Sequence, residues 1–337
     1  MVVKNPATPR DADENAPDSP TDLPSASLFA VVKRARAEFK RDHLTDLAAS
    51  LTYYGLLSLV PALIVLVAGL GLLGRDVTSQ VVEQVQAVAP GSSSEFVRTL
   101  IVQAQSNRTS AGLGAVLGLL VALWSASGYV SAFMRASNVI YDIPEGRPIW
   151  KTLPIRVGVT VLAVLVMVVS AVIVVVSGPV AQQVGDLVGA GDVAVLVWSI
   201  AKWPVLLVLV SVLFAVLFWA SPNARQGGVK WVSPGGVIAV VLWLVVSGLF
   251  AAYVVLFSSY DKTYGSLAGV VIFLVWLWLT NIAILLGAEV NAELERSRAI
   301  AEGQPEDVEP FAEPRDTRSM DEADKRAMTD AARKRAQ

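Results

Sequence analysis

Charged residues are almost absent from six long stretches of the chain. Between Leu47 and Ala288 these charge-free runs are 22 to 30 residues long and consist mainly of Leu, Val, Ile and Ala. A helix needs about 20 apolar residues to cross the hydrocarbon core of a bilayer. The pattern therefore predicts six transmembrane helices, at about 47–73, 112–134, 157–180, 203–220, 235–257 and 264–287.

The segments that flank this six-span membrane domain (47–296) are polar. Residues 1–27 combine prolines with acidic residues, which predicts a disordered N-terminal tail. Residues 28–46 carry apolar side chains at helical spacing beside basic ones, which predicts an amphipathic juxtamembrane helix on anionic lipid. Residues 297–337 are charged and contain three prolines. They are predicted to be a solvated, mostly disordered C-terminal tail, with a short helix within Met320–Gln337.

Basic residues near the span ends predict the orientation of the chain. Five lie in the juxtamembrane segment, and others lie in the second-to-third and fourth-to-fifth connections, whereas the opposite side has fewer and more dispersed ones. Loops rich in Lys and Arg stay in the cytoplasm. Both termini are therefore predicted to be cytoplasmic, and the fold class is all-α, a polytopic membrane protein with six transmembrane helices in one bundle.

Composition supports this class and excludes several kinds of site. Hydrophobic residues make up 54% of the 337 residues and charged residues 17%, with a mean hydropathy of +0.56. The net charge of −2 gives no reason to expect a nucleic-acid partner. Cysteine is absent and His43 is the one histidine, which excludes disulfides and multi-histidine metal sites. We therefore expect no enzymatic activity, no cofactor and no bound metal.

Several polar residues are predicted to meet near the inner ends of the spans. Intramembrane polar groups are costly and often functional. Two interpretations remain open: ion pairs that fix the loop geometry, or the inner mouth of a substrate path in which acids pair with Arg135 or Arg225 as a gate. The candidate polar inner-face site comprises Asp46, Tyr53, Arg135, Asn223, Arg225, Glu289 and Asn291.

Short motifs within residues 30–298 resemble the YihY/BrkB family of bacterial inner-membrane proteins. Individually they are weak, and together they are specific. The stretches that carry the resemblance are Ala48-Ala49-Ser50-Leu51 with Tyr54 and Pro61, Arg147-Pro148-Ile149-Trp150-Lys151, Pro222-Asn223, and above all Tyr264-Gly265-Ser266-Leu267-Ala268-Gly269 and Leu286-Gly287-Ala288-Glu289-Val290-Asn291-Ala292-Glu293-Leu294.

The resemblance implies a multi-pass protein of the bacterial inner (cytoplasmic) membrane whose molecular function is not established. Family members have carried a ribonuclease BN label, a virulence-factor label and suggestions of transport. RNA hydrolysis needs metal-binding groups and a basic groove, which these residues do not offer. The leading hypothesis is a transporter-like or permease-like protein with an unknown substrate. The alternative is a non-enzymatic envelope or scaffold protein that binds lipids or partner proteins, and a homo-oligomer is compatible with either.

Overall fold

A computed structural model describes residues 19–23, 25–72, 112–175, 191–256 and 267–335. Within these ranges the chain is helical, apart from connections and one isolated bridge between Ala224 and Pro314. A short 3-10 helix (Pro20–Asp22) precedes eight α-helices: α1 Ser25–Arg41, α2 Leu44–Leu72, α3 Gly112–Ile140, α4 Ile149–Val175, α5 Gly191–Ala220, α6 Val229–Leu256, α7 Leu267–Ala301 and α8 Glu322–Arg335.

The six helices from α2 to α7 overlap the six predicted spans. Four of them are long and apolar enough to cross a membrane, over Ile149–Val174, Val195–Ala220, Pro234–Val254 and Gly269–Ala301. Large apolar side chains on these helices are exposed, such as Leu249 at 68% and Ile200 at 63%. Exposed apolar surface on this scale is typical of helices that contact lipid. The prediction of a helical membrane protein is confirmed for the described residues, with four candidate spans.

Each helix from α2 to α7 extends beyond its predicted span at one end, and two of the boundaries are notable. The juxtamembrane segment is not one helix, because His43 has a positive φ of 50° and separates α1 from α2. Helix α5, which contains the fourth predicted span, starts at Gly191 and not near residue 203, so Lys202 and Pro204 lie inside it. At His43 the apolar pattern locates the helices, and the positive φ sets the boundary between them.

Both predicted tails include ordered structure. Residues up to 18 and residue 24 of the predicted N-terminal tail lie outside the described residues, but Leu23 is buried against Val31, Trp231 and Leu294. The expectation of a mostly disordered segment after Ser297 is wrong. Helix α7 continues to Ala301, and residues 302–335, here called the C-terminal segment, are packed and end in α8. The predicted short helix within this segment is confirmed.

The chain divides into two compact units. Unit 1 contains residues 1–52, 132–153 and 214–337, and unit 2 contains residues 53–131 and 154–213. In unit 1, α6 packs along α7, and α1 packs on the second half of α7. The close approach of α6 and α7 depends on Gly235, because a Cβ there would overlap the Gly287 carbonyl oxygen and the Asn291 amide. Small residues allow this kind of contact between membrane helices.

Candidate functional site

The second half of α7 is polar and nevertheless buried. In residues 288–297 every side chain except that of Val290 is buried, although the stretch includes Glu289, Glu293 and Arg296. A helix buried on all sides is normally apolar. Charged side chains in such a position need partners, which neighbouring segments of unit 1 supply.

Glu289 is the most deeply buried carboxylate of this stretch. It is 1% exposed, and its Oε2 atom has no hydrogen-bond donor among the described residues. The charges that act most strongly on it are those of Asp42, Glu293 and Glu38, with Arg41 as the opposing cation. Glu289 is therefore the innermost member of a group of charged residues.

Arg41, at the end of α1, connects α1 with three further segments of unit 1. Its guanidinium lies 2.7 Å from Glu38 Oε2, 2.8 Å from Asp142 Oδ2 and 2.9 Å from Glu309 Oε1, with Asp42 Oδ1 at 3.7 Å. One side chain thus joins α1, the turn that follows it, the connection after α3 and the C-terminal segment. Salt bridges between such distant parts of the chain fix their relative positions.

Two further arginines complete the group. Arg34 Nε lies 2.5 Å from Glu293 Oε2, while Arg296 Nη1 lies 3.2 Å from Glu309 Oε1 and 3.6 Å from Glu38 Oε1. We call this group the carboxylate–arginine cluster. Its members are six carboxylates, Glu38, Asp42, Asp142, Glu289, Glu293 and Glu309, and three arginines, Arg34, Arg41 and Arg296.

Burial and the excess of acids affect the protonation of the cluster outside the spanning helices. Burial raises the pKa of Asp42 to about 6, and the carboxylates of Asp142 and Glu38 act in the same direction against Arg41. Burial also raises the pKa of Glu38 and that of Asp142. The desolvated anion is disfavoured in each case. Asp42 therefore exchanges its proton close to neutral pH.

Asn223 lies elsewhere in unit 1 and holds the C-terminal segment. It is fully buried, and its Nδ2 donates to the carbonyl oxygens of Asp316 at 2.8 Å and Pro144 at 3.1 Å. Its Oδ1 accepts from Asp316 N at 3.1 Å, and its backbone N donates to Asn138 Oδ1 at 2.7 Å. The side chain of Asn223 therefore has a structural role, since its polar atoms are hydrogen-bonded to neighbouring segments.

Asp316 is itself anchored from two directions. Lys151 Nζ lies 2.9 Å from its Oδ2 atom, and Arg318 Nη2 lies 2.7 Å from the same atom. Hydrogen bonds from Arg318 and Lys151 hold the pKa of Asp316 below its ordinary value. The aspartate therefore stays ionised, which favours the docked C-terminal segment.

The other predicted site residues occupy different environments. Asn291 accepts a hydrogen bond from Gly235 N at 2.8 Å and so joins α7 to α6. Asp46 and Arg135 are exposed in unit 1, and Tyr53, which belongs to unit 2, is 60% exposed. Glu289 is the one of the seven predicted residues that belongs to the carboxylate–arginine cluster.

Among the described residues Arg225 forms its ion pair with neither Asp46 nor Glu289. Arg225 instead pairs with Glu313 of the C-terminal segment at 3.0 Å, and both side chains are exposed. It also lines a cavity of about 320 Å³ together with Glu295, Arg298 and Phe311. An exposed pair of this kind contributes little to stability.

The sequence analysis did not predict most members of the carboxylate–arginine cluster as site residues. The basic residues of α1 were assigned to lipid, although Arg34 and Arg41 face carboxylates within the protein. One signal was present in the sequence, because Glu38 and Asp42 interrupt the basic run at helical spacing. Glu293 likewise follows Glu289 by four residues and so lies on the same face of the helix.

The chain is similar to a known protein family and to membrane proteins of other bacteria. The family model described as Virulence factor BrkB matches residues 35–310. A protein named ribonuclease-like protein YfkH, from Bacillus subtilis, is 32% identical over 258 residues, which is 77% of this chain and 92% of that protein. A UPF0761 membrane protein of Rhodospirillum centenum is 31% identical over 290 residues, covering 83% of this chain.

Relatives differ in how much of their length the chain covers. The chain spans 60% of the Rhodospirillum centenum protein. It spans 82% of a UPF0761 membrane protein of Vibrio vulnificus, which is 28% identical over 273 residues and is matched by 79% of this chain. No solved structure matches the chain. The family match ends at residue 310, so most of the C-terminal segment lies beyond it.

Proposed function

This chain belongs to the virulence factor BrkB family, and from that premise we propose that it is a transporter-like protein of the bacterial inner membrane. The family is one of membrane proteins without an established molecular function, and the related proteins come from bacteria. The proposal assigns the transport site to the carboxylate–arginine cluster. It includes six membrane spans with both termini in the cytoplasm.

Contacts within unit 1 support an even number of spans. Arg41 before α2 contacts Asp142 after α3, Arg147 before α4 donates to carbonyls at and just after the end of α5, and Asn223 before α6 contacts Asp316 after α7. Each contact joins the two ends of a pair of long helices. If those helices cross the bilayer, each pair leaves and returns on the same side.

Single cysteines test this topology cleanly, because the chain has none of its own. Thr317→Cys lies in the C-terminal segment, and Lys262→Cys lies between α6 and α7. In intact cells a membrane-impermeant maleimide is expected to label Lys262→Cys, and to label Thr317→Cys only after permeabilisation. Labelling of Thr317→Cys in intact cells would contradict the proposed orientation.

The observation that carries the transport proposal is the buried carboxyl group of Glu289. Ionisable residues at the depth of a membrane helix are costly to bury and typically mark substrate or ion paths. Here the carboxyl group has an oxygen without a donor among the described residues, beside further buried acids. A purely structural ion pair would place a cation on that atom.

Reconstitution into liposomes tests transport directly. Purified protein is screened for flux of ions, lipids and small metabolites, with Glu289→Gln compared against Glu322→Gln, an exposed glutamate of α8. We expect a flux that Glu289→Gln abolishes and Glu322→Gln leaves unchanged. An absence of flux across the panel, with folded and inserted protein, would reject the proposal.

The alternative function is a scaffold that binds lipids or partner proteins. One observation favours it: α1 exposes Phe29 at 74% and Val32 at 66% next to exposed Lys33 and Arg36. An apolar strip bordered by cations suits an anionic membrane surface. This alternative can be tested by complementation of cells that lack the gene. It predicts that replacing Lys33, Arg36 and Lys40 by Gln abolishes complementation, whereas Glu289→Gln preserves it.

The proposal contains no enzymatic step. The name of the Bacillus subtilis relative refers to ribonucleases, and RNA cleavage needs metal-binding groups and a basic groove for phosphates. In the described residues the arginines of the cluster already pair with carboxylates of the same chain. We expect purified protein to leave RNA intact, and cleavage that a chelator suppresses would overturn this expectation.

A further inference from the structure

The position of Glu289 suits a group that gains and loses a proton. Its side chain is 1% exposed, and its Oε2 atom lacks a donor among the described residues. A buried carboxylate with an oxygen that lacks a donor is costly as an anion, and the cost falls when the carboxyl group binds a proton. Binding a proton needs no cavity.

The charged groups that surround Glu289 are predominantly acidic. Six carboxylates of the cluster face three guanidinium groups, so like-charge repulsion opposes the ionisation of all six at once. Helix α6 packs on α7 through uncharged residues, Gly235 and Trp231. The titratable and charged groups that interact with Glu289 or with members of its cluster come from α7 itself and from the other neighbouring elements. They are Arg34, Glu38 and Arg41 of α1, Asp42 of the turn, Tyr141 and Asp142 after α3, Glu293 and Arg296 of α7, and Glu306 and Glu309 of the C-terminal segment.

Exposure rises in steps from Glu289 to the surface. Glu289 is 1% exposed, the Asp42 side chain is 6% exposed, and the Asp142 side chain is 39% exposed. Asp42 is the charged residue that acts most strongly on Glu289, and Asp142 is the one that acts most strongly on Asp42. These three carboxyl groups therefore form an ordered sequence between the interior and solvent.

Polar groups also continue from Glu289 in the other direction along α7. Asn281 lies eight residues earlier, about 12 Å along the helix axis. It is fully buried and donates to Thr52 Oγ1 of α2 at 3.1 Å. Glu289 thus lies between a buried polar contact of two membrane helices and the carboxylates that lead to the surface.

We propose that Glu289 is a proton-binding site that exchanges its proton with the cytoplasm through Asp42 and Asp142, so that the proton is the coupling ion of the transporter. The inference rests on the proposed function for its coupling role. The protonation of Glu289 itself can be measured without any transport. A pKa of about 6 places Asp42 in the range where it passes protons near neutral pH.

Infrared titration of the full chain in nanodiscs tests the site. A protonated carboxyl group gives a carbonyl stretch that an ionised one lacks. We expect such a band to remain in the wild type above the pH at which Asp42 ionises, to disappear in Glu289→Gln, and to persist in Glu322→Gln and Asp42→Asn. Identical titrations of the wild type and Glu289→Gln would overturn the proposal. So would a band that disappears in Asp42→Asn and not in Glu289→Gln.

Proteoliposomes with a pH-sensitive dye inside test the coupling. Under an imposed potential we expect the wild type and Glu322→Gln to move protons and Glu289→Gln to match empty liposomes. Asp42→Asn, which keeps Glu289, is expected to move protons with an altered pH dependence. Substrate flux that neither carries protons nor responds to a pH gradient would overturn the coupling and leave transport intact. A Glu289 band without flux of any kind would instead reject the proposed function.

Discussion

Unit 1 and unit 2 satisfy their polar groups in different ways. Unit 1 contains several ion pairs that join segments more than 250 residues apart, such as Arg34 with Glu293. In the described part of unit 2, hydroxyl groups mostly bond to carbonyls of their own helix, as Ser199 and Ser211 do. Large apolar side chains are exposed in both units, such as Ile200 in unit 2 and Leu249 in unit 1.

The difference shows which unit depends on specific contacts between distant segments of the chain. A helix whose polar groups are satisfied internally makes few demands on its neighbours and is well suited to lipid. A buried ion pair, in contrast, requires both partners in place, because removal of either one leaves a charge without compensation. Unit 1 is therefore expected to tolerate substitution of polar residues much less well than unit 2.

Asn223→Ala is expected to have the largest effect. Three hydrogen bonds depend on the buried side chain, two from Nδ2 to the carbonyls of Pro144 and Asp316 and one from Asp316 N to Oδ1. Because the substitution leaves buried partners unsatisfied, we expect a loss of about 3–4 kcal/mol in the free energy of unfolding. Thermal unfolding in detergent measures this loss, and tryptic cleavage near Arg318 reports release of the C-terminal segment.

Ser199→Ala in unit 2 is the matched control for Asn223→Ala. Its hydroxyl donates to the Leu196 carbonyl of the same helix and is exposed. The expected change is within about 0.5 kcal/mol. If both variants unfold at the same temperature, the contrast between the units does not hold.

Gly235→Ala is expected to cost somewhat less. The added methyl group would overlap the Gly287 carbonyl oxygen and the Asn291 amide, so α6 and α7 must move apart. Overpacking of this kind costs about 2–3 kcal/mol. Gly248→Ala, in the same helix with open space at its Cβ, is expected to be neutral or stabilising by up to about 1 kcal/mol. Equal losses for the two variants would show that close packing at Gly235 is not required.

The carboxylate–arginine cluster predicts how the stability of the protein depends on pH, through Asp42. Since the pKa of Asp42 rises from 3.8 to about 6 on folding, the folded protein holds more protons in that window. Stability therefore falls as pH rises from about 4 to 6. Asp42→Asn removes this dependence and is expected to stabilise the protein at pH 8 by about 1–2 kcal/mol, after allowance for the lost contact with Arg41.

Asp316→Asn provides the opposite case in the same unit. Hydrogen bonds from Arg318 and Lys151 lower the pKa of Asp316, so its contribution to stability is present at neutral pH and is lost in acid. This substitution is expected to destabilise the protein at pH 8 and to have little effect in acid. Unfolding curves between about pH 2 and 8 compare the two variants. We expect Asp42→Asn to change the slope above about pH 4 and Asp316→Asn to change it below about pH 4 with the opposite sign, and changes of equal sign would contradict the assignment.

The sequence predicts the membrane helices and not the cluster, for a physical reason. A membrane requires long apolar runs, which are local and readable, as in Leu267–Ala301. A partner for a charge is not local, since Arg41 and Glu309 are 268 residues apart. Charge and proline content therefore suggested a solvated tail after Ser297, whereas its acids pair with residues such as Lys151.

Arg156 in unit 2 provides the smallest and most discriminating test of the comparison. Its Nε donates to Ser127 Oγ at 2.6 Å, and its guanidinium lies 4.5 Å from the centroid of the Trp124 ring. A cation on an aromatic face contributes about 1 kcal/mol at a partly exposed site. We therefore expect Arg156→Gln to lower the free energy of unfolding by about 1 kcal/mol and Arg156→Lys to lose less, measured by thermal unfolding in detergent. A loss as large as that of Asn223→Ala would mean that unit 2, like unit 1, depends on a polar tertiary contact.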